Sequence, residues 1–372
     1  MPAPWRFVLS VNPTIETAPE TTQKILTPRR AVLDMAPYHP PTGARRNKLR
    51  LDFNENTVGA PEHVIDFIKR YLTAADLSMY PEYTNALEDL SKHFGVSEAE
   101  LTLTNGTDEA IHLLIGTYVE EGDEVIMLRP SYAMYKFYSQ LGGANIQELD
   151  YRPETFAFPL EELLDKITPS TRAVLVSNPN NPTGTGINLA AIEKILKKAT
   201  HAAVLIDEAY YEFSGVTALG LLARYSNLFV SRTFSKVYGM AAMRCGCLFS
   251  RAENMAHVRK AQSPYSVNAV AVMAARIAVQ DRKFVEDYVL EVLTARELLY
   301  VGLELLNIPY TESQANFVLM HMGDRCIPVR DELRNRGVLT RDRSYEIPGA
   351  LRVTVGTRDQ IRRFLDELEQ IW

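Results

Sequence analysis

Between residues 100 and 250 the chain alternates short, uninterrupted apolar runs with turns and helical patterns: ELTLTNGTDEAIHLLIGTYV, DEVIMLRPSYAMYKFYSQLG, RAVLVSNPNNPTG, HAAVLIDEAYYEF, NLFVSRTFSK and CGCLFS. A strand that is apolar at every position has both faces buried, which happens where helices cover a mostly parallel sheet on both sides. The pattern predicts an α/β architecture with a large, doubly wound domain. After Pro264 it gives way to long helical periodicity, VNAVAVMAARIAVQDRKFVEDYVLEVLTARELLYVGLELL, and then to NFVLMHM, VRDELRNRG and ALRVTVGT as strand, helix and strand. This second region reads as a smaller α+β domain. The last helix sets Ile361, Phe364, Leu365, Leu368 and Ile371 on one face, so they are core. Two lobes also suit 372 residues, more than a single hydrophobic core accommodates. The expected division is an N-terminal arm over 1–45, a large domain over 46–265 whose first part (about 46–75) packs with the smaller one, and a small domain over 266–372.

Charge and composition exclude several classes. A formal net charge of -6 offers no basic excess for neutralising nucleic-acid phosphates. No apolar run approaches the roughly 18 residues of a membrane helix. The first thirty residues hold one five-residue apolar run and carry Glu16 and Glu20, which disfavours a secretory or transit signal. The three cysteines, Cys245, Cys247 and Cys326, lack the second ligand pair of a zinc site and read as buried thiols in a reducing compartment. A cytoplasmic protein without nucleic-acid, membrane or metal partners is expected. Gly184-x-Gly186 follows an apolar strand, but Leu189 stands where a dinucleotide fingerprint needs its third glycine and Pro182 sits in the turn. No phosphate-loop, HExxH or GxSxG motif is present.

What remains clusters at strand ends, where open α/β sheets bind ligands. NGTDEA ends one strand and opens a helix, so the amides of Gly106, Thr107 and Asp108 form an anion site. SNPNNPTG supplies Asn181, IDEAYYEF supplies Asp207 and Tyr210, and SRTFSK supplies Ser235 and Lys236, with Arg244 eight residues on. A phosphate suits the amides, Ser235 and Arg244. A carboxylate after an apolar strand needs a cation such as a protonated pyridine nitrogen, and a desolvated lysine is a nucleophile toward aldehydes. Phosphate, pyridinium and aldehyde together describe pyridoxal 5'-phosphate. The same residues also admit plain structural roles: Asp207 as a helix cap, Arg244 as a salt-bridge partner, and Tyr132, Tyr135 and Tyr138 as a buried helix face.

The ordered set LDFNEN, YPEY, NGTDEAI, PSYAMY, NPNNPTG, IDEAYYEF, SRTFSK, PYSVN, GVLTR and LRVTVGT resembles the fold-type I aminotransferases, and among them the histidinol-phosphate aminotransferases, over about residues 51–357. The resemblance implies pyridoxal 5'-phosphate as cofactor. It makes Lys236 the Schiff-base lysine and proton shuttle, and sets Asp207 on the ring nitrogen. Tyr210 and Asn181 then bind the ring hydroxyl, Tyr132 stacks on the ring, and Tyr80 reaches the cofactor phosphate of a neighbouring subunit in a homodimer with shared active sites. It further implies Arg352 and Arg341 on the substrate's anionic group, Tyr38 closing over the substrate, and Asn56 beside it. Where the family reads NENPYG, this chain has Asn54-Glu55-Asn56-Thr57-Val58-Gly59.

The implied reaction moves an amino group from histidinol phosphate, a small-molecule donor, to the 2-oxo acid acceptor 2-oxoglutarate. Alternatives are an aromatic amino acid donor, or decarboxylation of a phosphorylated amino acid by the same lysine and aspartate, since the bond held perpendicular to the ring breaks. A cofactor-binding regulator would need a DNA-binding module, and no helix-turn-helix precedes the homologous region.

Overall fold

The computed structural model describes residues 26–33, 35–37 and 45–372. A one-turn helix, Arg30–Leu33, precedes the first strand, the two-residue β1 (Leu49–Arg50). Seven strands follow: β2 (Leu101–Thr104), β3 (Glu124–Arg129), β4 (Asn145–Asp150), β5 (Thr171–Ser177), β6 (Ala203–Asp207), β7 (Leu228–Thr233) and β8 (Gly246–Phe249). They form one sheet in the order β2-β8-β7-β6-β5-β3-β4. Pairs from β4 through β7 are parallel, and β8 runs antiparallel to both β2 and β7.

Side-chain alternation along these strands builds a core on each face. Val174, Val176, Val204, Ile206 and Val230 enter one hydrophobic layer. Ala173, Leu175, Ala203, Leu205 and Phe229 enter the other. Each such buried aliphatic side chain contributes about 1.5–3 kcal/mol, so neither face tolerates a polar residue without a partner. The same period of two continues past the last apolar residue: it sends Asp207 and Ser231 to one face, Glu208 and Arg232 to the other. Glu208 and Arg232 then pair at 2.7 Å, fully enclosed. β4 was not foreseen. Its sequence, NIQELD, is polar, and it lies at the sheet edge with no fully buried residue.

The second region carries β9 (Tyr310–Thr311), β10 (Phe317–His321), β11 (Val338–Leu339), β12 (Arg341–Asp342) and β13 (Ala350–Thr354). Four of them form an antiparallel sheet, β12-β13-β10-β9. The long helical pattern after Pro264 divides into two helices, Ala269–Ala278 and Arg282–Leu305. Asp281 separates them, its carboxylate accepting from the Phe284 amide as an N-cap. β1 pairs in parallel with β11, and the Leu51 carbonyl accepts from the Thr354 amide at 2.9 Å. Residues 51–55 are thereby held between the two sheets, beside the carboxyl ends of β5 to β7. Among the described residues no helix is long and apolar enough to cross a membrane.

Candidate active site

After β3 the chain turns outward to β4, then returns across to β5, β6 and β7. That reversal between β3 and β5 is a topological switch point, where such sheets leave a crevice at the strand carboxyl ends. A cavity of ≈ 490 Å³ lies there, lined by Thr107, Asp108, Tyr132, Asn181, Asp207, Tyr210, Ser235, Lys236 and Arg244 from the large sheet, and by Arg341 and Arg352 from the small one. Gly106 abuts it. The large-sheet residues come from five separate strand ends, Arg341 and Arg352 from two strands of the small sheet, and the fold gathers all of them.

Asp207 lies at the end of β6, 2% exposed. Its Oδ2 accepts from the Tyr135 hydroxyl at 2.7 Å and its Oδ1 from the Ser231 hydroxyl at 2.9 Å. Burial pushes the carboxyl up to about 6, against the pull of those two hydrogen bonds. Lys236 Nζ donates to the Phe53 carbonyl at 3.1 Å and stands 5.5 Å from the Tyr210 ring centroid. Tyr210 accepts a 3.0 Å hydrogen bond from Asn54 Nδ2.

The anion cradle is built at the amino end of the helix Gly106–Tyr118. Gly106 has φ 72°, and a Cβ there would meet Arg244 Nη2 at 2.5 Å. The glycine therefore leaves room for a guanidinium and a ligand against the backbone. The Asn105 side chain makes no capping bond to the first turn, so amides of that turn stay available for an anion. The Asp108 carboxylate is already engaged, accepting from the Tyr132 hydroxyl at 2.7 Å and from Arg244 Nη2 at 3.2 Å. It orients both groups, leaving its backbone N–H for the ligand. The donor set thus fits a phosphate at the helix terminus and a ring over Asp207, as pyridoxal 5'-phosphate requires.

At the other end of the cavity stand the arginines. Arg352 is buried on β13; its Nη1 donates to Asn181 Oδ1 at 2.5 Å and its Nη2 to the Asp52 carbonyl at 2.8 Å. Burial, then the charges of Arg343 and Arg341, bring its guanidinium down to about 10, so it stays cationic at neutral pH. Arg341 lies 5.5 Å over the Phe53 ring, and among the described residues it has no ion-pair partner. Arg45 covers the same ring at 4.4 Å and forks to Asp52 and Glu55 at 2.7 and 2.8 Å.

One sequence-based expectation meets a different placement, and two others fall away from this chain's cavity or outside the described residues. Asn56 does not line the cavity: its Nδ2 donates to the Val237 carbonyl and its Oδ1 accepts from the Val58 and Gly59 amides, so the side chain is used up folding its own loop. Asn54, two residues earlier, faces the cavity instead. Tyr80 is 75% exposed, stacked on Tyr265 at 4.3 Å, and outside this chain's cavity. Tyr38 lies outside the described residues. Sequence reasoning also gave no site role to Tyr135, Ser231 and Asn54, although they lie in PSYAMY, SRTFSK and LDFNEN, and it passed over Arg343, which lies in none of the quoted motifs.

Residues 46–368 match the family described as aminotransferase class I and II. The chain belongs to that family. It is 32% identical to histidinol-phosphate aminotransferase 1 of Carboxydothermus hydrogenoformans over 92% of this chain and 98% of the relative. Against the histidinol-phosphate aminotransferase of Thermococcus gammatolerans the identity is 34%, over 91% and 96%. In fold it is similar to the histidinol-phosphate aminotransferase from Sinorhizobium meliloti, solved with pyridoxal 5'-phosphate, at a TM-score of 0.83 and 19% identity, covering 94% of this chain and 99% of that one. Fold-type I architecture is thus established for this aminotransferase-family chain.

Proposed function

We propose that the protein transfers an amino group from histidinol phosphate to 2-oxoglutarate, using pyridoxal 5'-phosphate. What most supports this reading is one cavity that joins an amine and a buried carboxylate, Lys236 and Asp207, to the guanidiniums of Arg341 and Arg352. A phosphate monoester accepts two forked guanidinium pairs where a lone carboxylate accepts one. The relatives named above carry the same donor in their names.

Bound pyridoxal 5'-phosphate supplies a conjugated, cationic ring that accepts the electron pair left when the donor's Cα proton departs. In this reading the amides of Gly106, Thr107 and Asp108, with Ser235 and Arg244, hold its phosphate. Asp207, its charge supported by Tyr135 and Ser231, would oppose the ring nitrogen. Tyr132 would cover the ring, while Tyr210 and the Asn181 amide would donate to its hydroxyl. Lys236 Nζ would be the group that carries the proton between the donor's Cα and the cofactor's aldehyde carbon. Arg341 and Arg352 orient the donor so that this proton, not another group, stands perpendicular to the ring.

Further features support the finer points. Leu77, Met79 and Tyr80 are 68%, 63% and 75% exposed, an apolar surface that suits a homodimer in which Tyr80 serves the partner's cofactor. Three buried free cysteines suit the cytoplasm. The proposed division is a large domain over 46–265 and a small one over 266–372, the strand β1 joining the latter through β11.

Incubating the holoprotein with histidinol phosphate and 2-oxoglutarate tests the reading. Glutamate should form in proportion to donor consumed. Turnover of phenylalanine alone, or carbon dioxide released from a phosphorylated amino acid, would replace it with one of the two alternatives.

A further inference from the structure

Arg343 was not singled out by any motif, yet it lines the same cavity as Arg341 and Arg352 and is only 8% exposed. It sits in the turn that links β12 to β13, its amide donating to the Ala350 carbonyl. Its Nη2 pairs with Glu346 three residues on, while its Nε is buried with no acceptor. Arg352 Nε is in the same condition. Two neighbouring guanidiniums with buried, unmet donors carry a desolvation cost that an anion between them would offset. The charges couple as this arrangement requires: after burial, Arg343 is the largest influence on Arg352, ahead of Arg341. Burial raises the Glu346 carboxyl, and Arg343, Arg352 and Arg341 each draw it back. Arg45 and Arg50 do not enter the balance, since Asp52 and Glu55 offset them two for two.

Three guanidiniums less one carboxylate leave two positive charges. We propose that Arg343 is a third anion-binding residue of the donor subsite, and that Glu346 trims the subsite's charge to match a phosphate monoester dianion rather than a carboxylate. This rests on reading the cavity as an amino-donor site. An ordinary structural brace between Arg343 and Glu346 is the competing explanation, and it makes no claim on anion affinity.

The test uses holoprotein reduced with borohydride, so that the cofactor's own phosphate site stays filled. Inorganic phosphate is titrated by calorimetry at pH 8, where it is a dianion. Arg343→Gln should weaken its binding ten- to a hundredfold, the loss of hydrogen bonds to a charged group. Glu346→Gln should tighten it. In turnover, Arg343→Gln should lower the ratio of kcat/KM for histidinol phosphate to that for phenylalanine at least tenfold. Phosphate affinity within twofold of wild type in Arg343→Gln, or no phosphate binding by the wild type, overturns the proposal. Should that variant not fold, Arg343→Lys keeps the charge but not the fork, and an unchanged affinity there overturns it equally. If wild type ignores histidinol phosphate while Arg343→Gln still loses phosphate, the proposed reaction fails and the subsite stands. Good turnover with unchanged phosphate affinity means the reverse.

Discussion

The Tyr135 hydroxyl donates to Asp207 Oδ2 at 2.7 Å, joining the first turn of the helix Ala133–Leu141 to the last residue of β6 across 72 positions of sequence. Together with Ser231 it stabilises a charge that burial alone would extinguish. Tyr135→Phe keeps the ring and deletes the donor. Asp207 should then hold its proton to higher pH, and the acid limb of the kcat/KM profile should move upward by about one pH unit, with kcat down roughly tenfold, the worth of one hydrogen bond to a charged group. A profile indistinguishable from wild type would show that the phenol is only packing.

Asp207 should also cost the apoprotein stability. Its folded value, about 6, exceeds the ordinary 3.8, so the folded state binds the proton more tightly than the unfolded chain does. The group's contribution to stability therefore falls as pH rises from about 4 to about 6 and stays low above that. Asp207→Asn removes the penalty. Its apoprotein should be more stable than wild type at pH 7 by about 1–3 kcal/mol, and no more stable near pH 4, while turnover is lost. Denaturant melts of both apoproteins at the two pH values decide it; a variant less stable at pH 7 contradicts the sign.

Gly106 tests the anion cradle. With φ 72° and a Cβ that would fall 2.5 Å from Arg244 Nη2, Gly106→Ala must displace the guanidinium or strain the turn. Cofactor affinity should fall by about 1–2 kcal/mol, the size of such a left-handed strain, measured by absorbance titration of the apoprotein. An alanine variant with wild-type affinity would remove Arg244 from the phosphate site.

The α/β architecture and most of the site were legible in the sequence for one reason: NGTDEA, IDEAYYEF and SRTFSK each interrupt an apolar strand at its end, and strand ends are where ligands sit. What escaped was geometry that no period encodes. Tyr132, Tyr135 and Tyr138 share one helical spacing, and only the fold brings the middle one to Asp207. Asn54 and Asn56 are two residues apart in a loop with no repeating pattern, and a φ of 56° at Asn54 decides which faces the cavity. Arg343 reads as one more charged residue in RDRSYE until β12 and β13 carry it beside Arg352. β4 was missed because an edge strand can afford polar residues.

The most direct measurement is peptide mapping of the borohydride-reduced holoprotein, since every assigned role presumes a covalent bond between cofactor and Lys236 Nζ. One tryptic peptide should carry the reduced cofactor's mass, fragmenting to place it on Lys236, and Lys236→Ala should bind cofactor without retaining that mass. A label on another lysine, or a reduced protein with none, would contradict the proposed chemistry at its root.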